Sequence, residues 1–299
     1  MKITKKYGIL AVLLIMALSL VGCSATDKGG DTVIIGGKNF TEQSILVYLM
    51  AGVVEAKTDL KVETKPWLGG TMVASKALDA GELDIYAEYT GTALTVQLEQ
   101  PPMNDPDAVY DKVSKAYEKD KNITWLKPFG FNNTYTLTML KSEATKLGIE
   151  TFSDLVKEAP NLSMASEPEF LEREDGYKGL QKTYGINFKK VSAMDAGLMY
   201  GAVKDGKADV CSAYATDGRI VAFDLKVLKD DKQFFPPYYA APIIRDDTLK
   251  KHPELKDALN SLAGKLDDLT MQKLNASVDV DKKSAENVAN EWLKAQGLI

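Results

Sequence analysis

With one histidine and two cysteines in 299 residues, the chain has almost no material for a histidine-dependent triad or a histidine-rich metal centre. The histidine, His252, sits in a polar Lys-Lys-His-Pro-Glu-Leu turn that opens a helix. No loop carries regularly spaced oxygen ligands, so neither a metal nor another cofactor is expected. Cys23 ends an N-terminal leader, which leaves Cys211 without a partner; the fold must stand on burial, with no internal disulfide. Basic charge is short as well. The 37 Lys and Arg face 42 Asp and Glu, for a net charge of −5, and no basic cluster argues for nucleic acid. The apolar run at residues 8–21 falls short of the roughly 20 residues that span a bilayer. For an enzyme, the nearest pair of carboxylates is Asp84 with Glu88, which leaves an extracytoplasmic hydrolase only a remote alternative.

What is present is globular composition, 45% hydrophobic and 26% charged, over a length that suits two lobes with separate cores. Lys2, Lys5 and Lys6, the apolar run and Leu20-Val21-Gly22-Cys23 form a signal segment over residues 1–22. It resembles a bacterial lipoprotein signal, which implies lipid on Cys23. Residues 23–31 are small, polar and glycine-bearing, the composition of a flexible tether. Removal of the leader takes away three lysines and no acid, leaving 34 basic against 42 acidic residues and a charge of −8. The expected place of work is outside the cytoplasmic membrane, on a lipid anchor.

After the tether, Val33-Ile34-Ile35-Gly36-Gly37 reads as a buried first strand. The turn Lys38-Asn39-Phe40-Thr41-Glu42-Gln43 follows and opens a helix with Ile45, Leu46, Leu49, Met50 and Val53 on one face. That turn either offers backbone donors to an anionic ligand group, or holds Thr41 as a simple cap with Gln43 in solvent. A strand at 61–67, a helix at 72–80 and a strand at 81–86 continue an open α/β pattern, in which ligands sit beyond the carboxyl ends of strands. The stretch 84–95, Asp-Ile-Tyr-Ala-Glu-Tyr-Thr-Gly-Thr-Ala-Leu-Thr, falls at such an end. Two tyrosines beside small hydroxyls and a glycine suit a ligand that is cationic at one end and polar at the other.

Residues 125–139 and 234–244 are extended and aromatic, and each predicts a strand crossing between lobes. Between them the alternation restarts. The turn at 204–210 echoes the one at 78–85, each leading through a glycine into a strand that carries a tyrosine, Tyr86 or Tyr214. The expected architecture is therefore α/β and two-lobed: a discontinuous first lobe over 32–133 and 240–299, a second over 134–239, two crossings as the hinge and a ligand cleft between. The tail, at 253–264, 267–276 and 284–296, reads as helical.

Lys38-Asn39-Phe40-Thr41-Glu42-Gln43 and Tyr86-Ala87-Glu88-Tyr89-Thr90-Gly91-Thr92, in that order behind a lipoprotein-like leader, together with Asn133-Thr134-Tyr135 and Pro237-Tyr238-Tyr239, carry a resemblance over nearly the whole mature chain. It is to the solute-binding proteins of osmoprotectant uptake ABC transporters, which import glycine betaine, carnitine and choline. The resemblance implies the two-lobed periplasmic-binding-protein fold of type II, no enzymatic activity, and permease and ATPase subunits as partners of a monomeric binding protein. It also implies an aromatic cage, matched here to Tyr89, Tyr135, Tyr214 and Tyr239. Tyr238 competes with Tyr239; neighbours on a strand point to opposite sides, so one of the two should face the ligand. Thr92 matches a selectivity position where an acid favours choline alone, and a neutral threonine admits carboxylates. Gln43 and Asn39 are the further donors expected. Physically the cage makes sense, since a quaternary ammonium has no N–H to donate and is recognised through aromatic faces, at roughly 0.5–2 kcal/mol each. Another zwitterion, such as ergothioneine or an amino acid, is the alternative ligand.

Overall fold

The computed structural model describes residues 31–299. The signal segment 1–22, the lipidation site Cys23 and all but the last residue of the tether lie outside the described residues.

Four strands begin the chain: β1 Thr32–Gly36, β2 Lys61–Lys65, β3 Ile85–Tyr89 and β4 Ile123–Trp125. Five more follow in a second region: β5 Tyr135–Leu140, β6 Ser163–Ser166, β7 Lys190–Ala193, β8 Val210–Tyr214 and β9 Leu225–Val227. The chain then returns to the first region with β10 Ala240–Arg245. Two separate five-stranded sheets result, ordered β2-β1-β3-β10-β4 and β7-β6-β8-β5-β9. In each, four strands run in one direction and the crossing strand alone is antiparallel, β10 between β3 and β4, β5 between β8 and β9. Each sheet with its helices forms one lobe. No helix among the described residues is long and apolar enough to cross a membrane.

Two extended readings change in detail. Residues 81–84 do not belong to β3: Gly81 takes a left-handed φ of 76° in the preceding turn, and the Asp84 carboxylate instead accepts the Ile34 N–H at 2.8 Å and the Thr248 hydroxyl at 2.7 Å. The strand therefore starts at Ile85, is buried throughout, and ends on Tyr89. Residues 125–139 are not one strand. Pro128 and Gly130, whose φ is 123°, break them into β4 and β5 on different sheets. The linking residues lie along the return segment, with Phe129 N–H on Ala240 O at 2.9 Å and Asn133 N–H on Tyr238 O at 3.1 Å.

The first lobe is centred on the helix Thr41–Lys57, whose Ile45, Leu46, Leu49, Met50 and Val53 are fully buried. Helix Ala285–Ala295 packs across it. Its N-cap is Phe40, with no side-chain cap; Thr41 is the first helical residue, and its hydroxyl goes to Asp279 at 2.6 Å. In the second lobe, Cys211 is fully buried on β8 beside the Thr138 hydroxyl at 3.1 Å. Burial pushes its thiol up to about 12.

Because Leu49 has no exposure to relax into, Leu49→Ala should remove about 2–5 kcal/mol of stability. Thermal and urea unfolding of the variant beside wild type measure the loss.

Candidate functional site

The loop after β1, the start of helix Thr71–Asp79, the end of β3 and the turn behind it face the second lobe across a narrow cavity. The first lobe contributes Lys38, Asn39, Phe40, Thr71, Tyr89 and Thr92. Asn133, Tyr135 and Tyr238 enter from the crossings, and Glu167, Glu169, Arg173 and Tyr214 from the second lobe.

One wall is aromatic. Phe40 and Tyr214 stack with centroids 5.5 Å apart and planes 6° from parallel, and Tyr135 lies 5.2 Å from Tyr214 and 5.5 Å from Tyr238, the latter edge-on. Because the rings rest on one another, the free volume is only about 40 Å³. A ligand with a bulky cationic head enters only if the rings part, which the separate lobes permit.

Charged and polar side chains line the same cavity. The buried Lys38 ammonium meets Glu88 at 2.6 Å and the Thr71 hydroxyl at 3.1 Å, and stands 5.2 Å from the Tyr89 centroid. Arg173, also buried, grips Asp175 with two hydrogen bonds of 2.7 and 2.6 Å. It also reaches Glu169 at 3.0 Å and the Thr92 hydroxyl at 3.4 Å, and lies 5.3 Å from the Tyr135 centroid. Asp175 further accepts the Thr95 and Tyr238 hydroxyls, each at 2.6 Å, so this ion pair joins the two lobes. Burial pushes the Asp175 and Glu169 carboxyls up, but Arg173, joined by Thr95 and Tyr238 at Asp175 and by Lys38 and Thr71 at Glu169, outweighs it and both sit below the ordinary range. At Glu167 burial wins over the hydrogen bonds from Tyr214 and Tyr135, and its carboxyl is raised.

Of the residues singled out from sequence, Tyr89, Thr92, Tyr135, Tyr214 and Asn39 line this cavity. Gln43 does not. It is fully buried behind the wall, where its carbonyl accepts the Lys38 N–H at 3.1 Å and its amide donates to Ala87 O at 3.0 Å and the Tyr89 hydroxyl at 3.1 Å. Every strong hydrogen-bonding position of Gln43 is thus used inside the lobe. Of the tyrosine pair the cavity takes Tyr238, whereas Tyr239 is off it, its backbone paired with Thr90 and Asn132. Asp84 and Glu88 serve different partners, and Glu88 is sealed beneath Lys38. Sequence reasoning passed over Lys38, Phe40, Glu167, Glu169 and Arg173. Lys38 and Phe40 stand within the quoted 38–43 motif, and the spacing of Glu169 and Arg173, one helical turn apart with opposite charge, was a usable signal.

Because the Asp175 and Glu169 carboxyls are lowered in the folded protein, their contribution is present above the ordinary carboxylate range and lost as pH falls through the lowered values. The melting temperature should fall below about pH 4, with a shallower acid slope in Asp175→Asn. Melting curves across that range measure both slopes.

Residues 31–295 match the family described as the substrate binding domain of ABC-type glycine betaine transport systems, OpuAC. The chain is 41% identical over 288 residues to the carnitine transport binding protein OpuCC of Listeria monocytogenes, covering 95% of this chain and 94% of that one. It is 40% identical to the ergothioneine transport permease/ergothioneine binding protein EgtU of Helicobacter pylori, over 97% of this chain and 52% of that protein. Among solved structures, one described as a glycine betaine/carnitine/choline ABC transporter superposes with a TM-score of 0.75 at 36% identity, covering 90% of this chain and 99% of that one. The fold, the interlobe cavity and the match over residues 31–295 agree, and the chain belongs to the family of substrate-binding domains of ABC-type glycine betaine transport systems.

Proposed function

We propose that this protein captures trimethylammonium solutes, with glycine betaine, carnitine and choline as leading ligands, outside the cytoplasmic membrane, and delivers them to an ABC permease driven by an ATPase. The observation that carries the reading is the cavity in which Tyr89, Tyr135, Tyr214 and Tyr238 stand together with Lys38, Thr92 and Arg173. A quaternary ammonium suits the ring faces, which need no N–H donor, and a carboxylate suits the ammonium, guanidinium and hydroxyl beside them. Tyr89, Tyr135, Tyr214 and Tyr238 supply the faces, and Phe40 backs them. The carboxylate pocket takes the role that Gln43 was expected to share.

Around this site we place the remaining organisation: a first lobe of 32–133 and 240–299, a second of 134–239, and a lipid on Cys23 that tethers a monomer to the membrane. The cavity binds and releases without altering its ligand; Glu88, the acid nearest to a catalytic reading, is neutralised by Lys38. One observation favours a second ligand. Glu167, beside Tyr135 and Tyr214, is an acceptor for a ring N–H, which a histidine betaine such as ergothioneine carries and glycine betaine lacks.

Calorimetry with glycine betaine, carnitine, choline, ergothioneine and free amino acids tests the reading. Heat from at least one of the first three supports it. Heat only from ergothioneine moves the assignment to the second ligand, and heat only from amino acids removes the trimethylammonium cage. Tyr135→Ala should weaken a trimethylammonium ligand about 2- to 30-fold. Thr92→Val should cost glycine betaine about tenfold and choline less, since choline has no carboxylate to place. Equal losses for both ligands in Thr92→Val would sink the carboxylate assignment.

A further inference from the structure

Two hydrogen-bonded clusters join the lobes. One is the Arg173–Asp175 wall of the cavity; the other lies behind Tyr89 and reaches the cavity through Tyr89 and Asn133. At its centre is Glu42, in the first turn of helix Thr41–Lys57, buried at 3% exposure. Its hydrogen-bond partners are four neutral donors from four parts of the chain. One oxygen accepts the Tyr89 hydroxyl at 2.7 Å and the Asn133 amide at 2.8 Å. The other accepts the Asn275 amide at 3.1 Å and the Thr216 hydroxyl. Tyr89 and Asn275 belong to the first lobe and its tail, Asn133 to a crossing, and Thr216 alone to the second lobe, in the loop 215–218 after β8.

Thr216 is held on three sides. Its N–H points to Asn133 Oδ1 at 3.4 Å, its carbonyl accepts the Asn275 amide at 3.0 Å, and its hydroxyl goes to Glu42. Two residues on, Gly218 rests against helix Asp268–Asp279. A Cβ at Gly218 would stand 2.5 Å from the Ala276 Cβ and 2.6 Å from its Cα. The φ of Gly218 is −67°, open to any residue, so the close approach of the lobes is what asks for glycine here.

We propose that the loop 215–218 is a latch that seats on Glu42 when the lobes close, and that Glu42 is a positioning residue coupling this seat to the cage. The carboxylate that receives Thr216 is the one that fixes the Tyr89 hydroxyl. With the lobes apart, Glu42 loses one of its four donors and water reaches it from that side. With the latch seated, the shell is complete and the Tyr89 ring is held for the ligand. Ligand and latch therefore favour the same state, and each strengthens the other. Burial holds the Glu42 carboxyl above its ordinary range in spite of the bonds from Thr216 and Tyr89, which agrees with a charge that depends on every donor it has.

The inference rests on the cavity being the ligand site, and the test separates the two. Glycine betaine affinity, dissociation rate and ligand-induced compaction by small-angle scattering are measured for wild type, Thr216→Val, Thr216→Ser, Gly218→Ala, Glu42→Gln, and Thr216→Val combined with Glu42→Gln. Thr216→Val should weaken binding about tenfold or more, chiefly through faster release, with the melting temperature of the ligand-free protein unchanged; Thr216→Ser should restore it. Gly218→Ala should fold normally and fail to compact. In the Glu42→Gln background, Thr216→Val should add little further loss. Wild-type binding with Thr216→Val unaffected, or losses that sum fully in the double variant, overturns the latch and leaves the ligand site standing. A wild type that binds none of glycine betaine, carnitine and choline overturns both.

Discussion

A charge taken out of water must be met inside the fold, and three buried carboxylates, Glu88, Glu42 and Asp175, govern how this cavity is built. Glu88 collects Lys38, the Tyr86 hydroxyl, the Tyr89 N–H and Gln97, which ties the loop after β1 to the end of β3. Asp175 collects Arg173, Thr95 and Tyr238. Glu42 collects its four neutral donors. Each carboxylate thereby fixes segments far apart in sequence. The rings of the aromatic wall share the arrangement, since Tyr89 donates to Glu42, Tyr135 to Glu167 and Tyr238 to Asp175. A phenol that donates to an anion is polarised toward it, which leaves its ring face more negative and better suited to a cation.

The contact between lobes adds polar and ionic bonds to the aromatic stacking of Phe40 on Tyr214. Within the first lobe, helix Thr41–Lys57 is buried by aliphatic side chains whose exposure would be costly. Between lobes the contacts include Arg173 with Thr92, Thr95 with Asp175, Thr216 with Glu42, and Arg219 with Asp279 at 2.9 Å. Water replaces such bonds on opening, and a hydrogen bond to a charged group nets only about 1.5–3 kcal/mol.

The alternation of strands, glycine turns and helices was legible in the residues because each lobe repeats it, and it placed Tyr89 and Thr92 at a strand end and the aromatic segments between lobes. The boundary of β3 was not, because Asp84 looks like a strand residue until Ile34 and Thr248 claim its carboxylate. The choice between Tyr238 and Tyr239 was equally hidden. It follows from the Asn132 side chain accepting the Tyr238 N–H at 2.7 Å and from Thr90 pairing with Tyr239, contacts that no local pattern encodes. Arg173 escaped because residues 167–185 break into short helices without a clear period, and the Thr92 it reaches lies 81 positions away. Gln43 read as a ligand donor because its turn faces the cavity. Its own side chain turns inward to hold the strand behind it.

Cys211 has a consequence of a different sort. A lone thiol outside the cytoplasm invites pairing with other chains, and exposed it would make the protein prone to oxidative cross-linking. Full burial beside Thr138, with a thiol pushed up to about 12, leaves almost no thiolate at neutral pH to react. The described body is thus chemically silent toward thiol reagents. A cysteine introduced on the rim of either lobe becomes its one reactive handle, and an environment-sensitive dye placed there reports changes at the cleft without removal of the native residue.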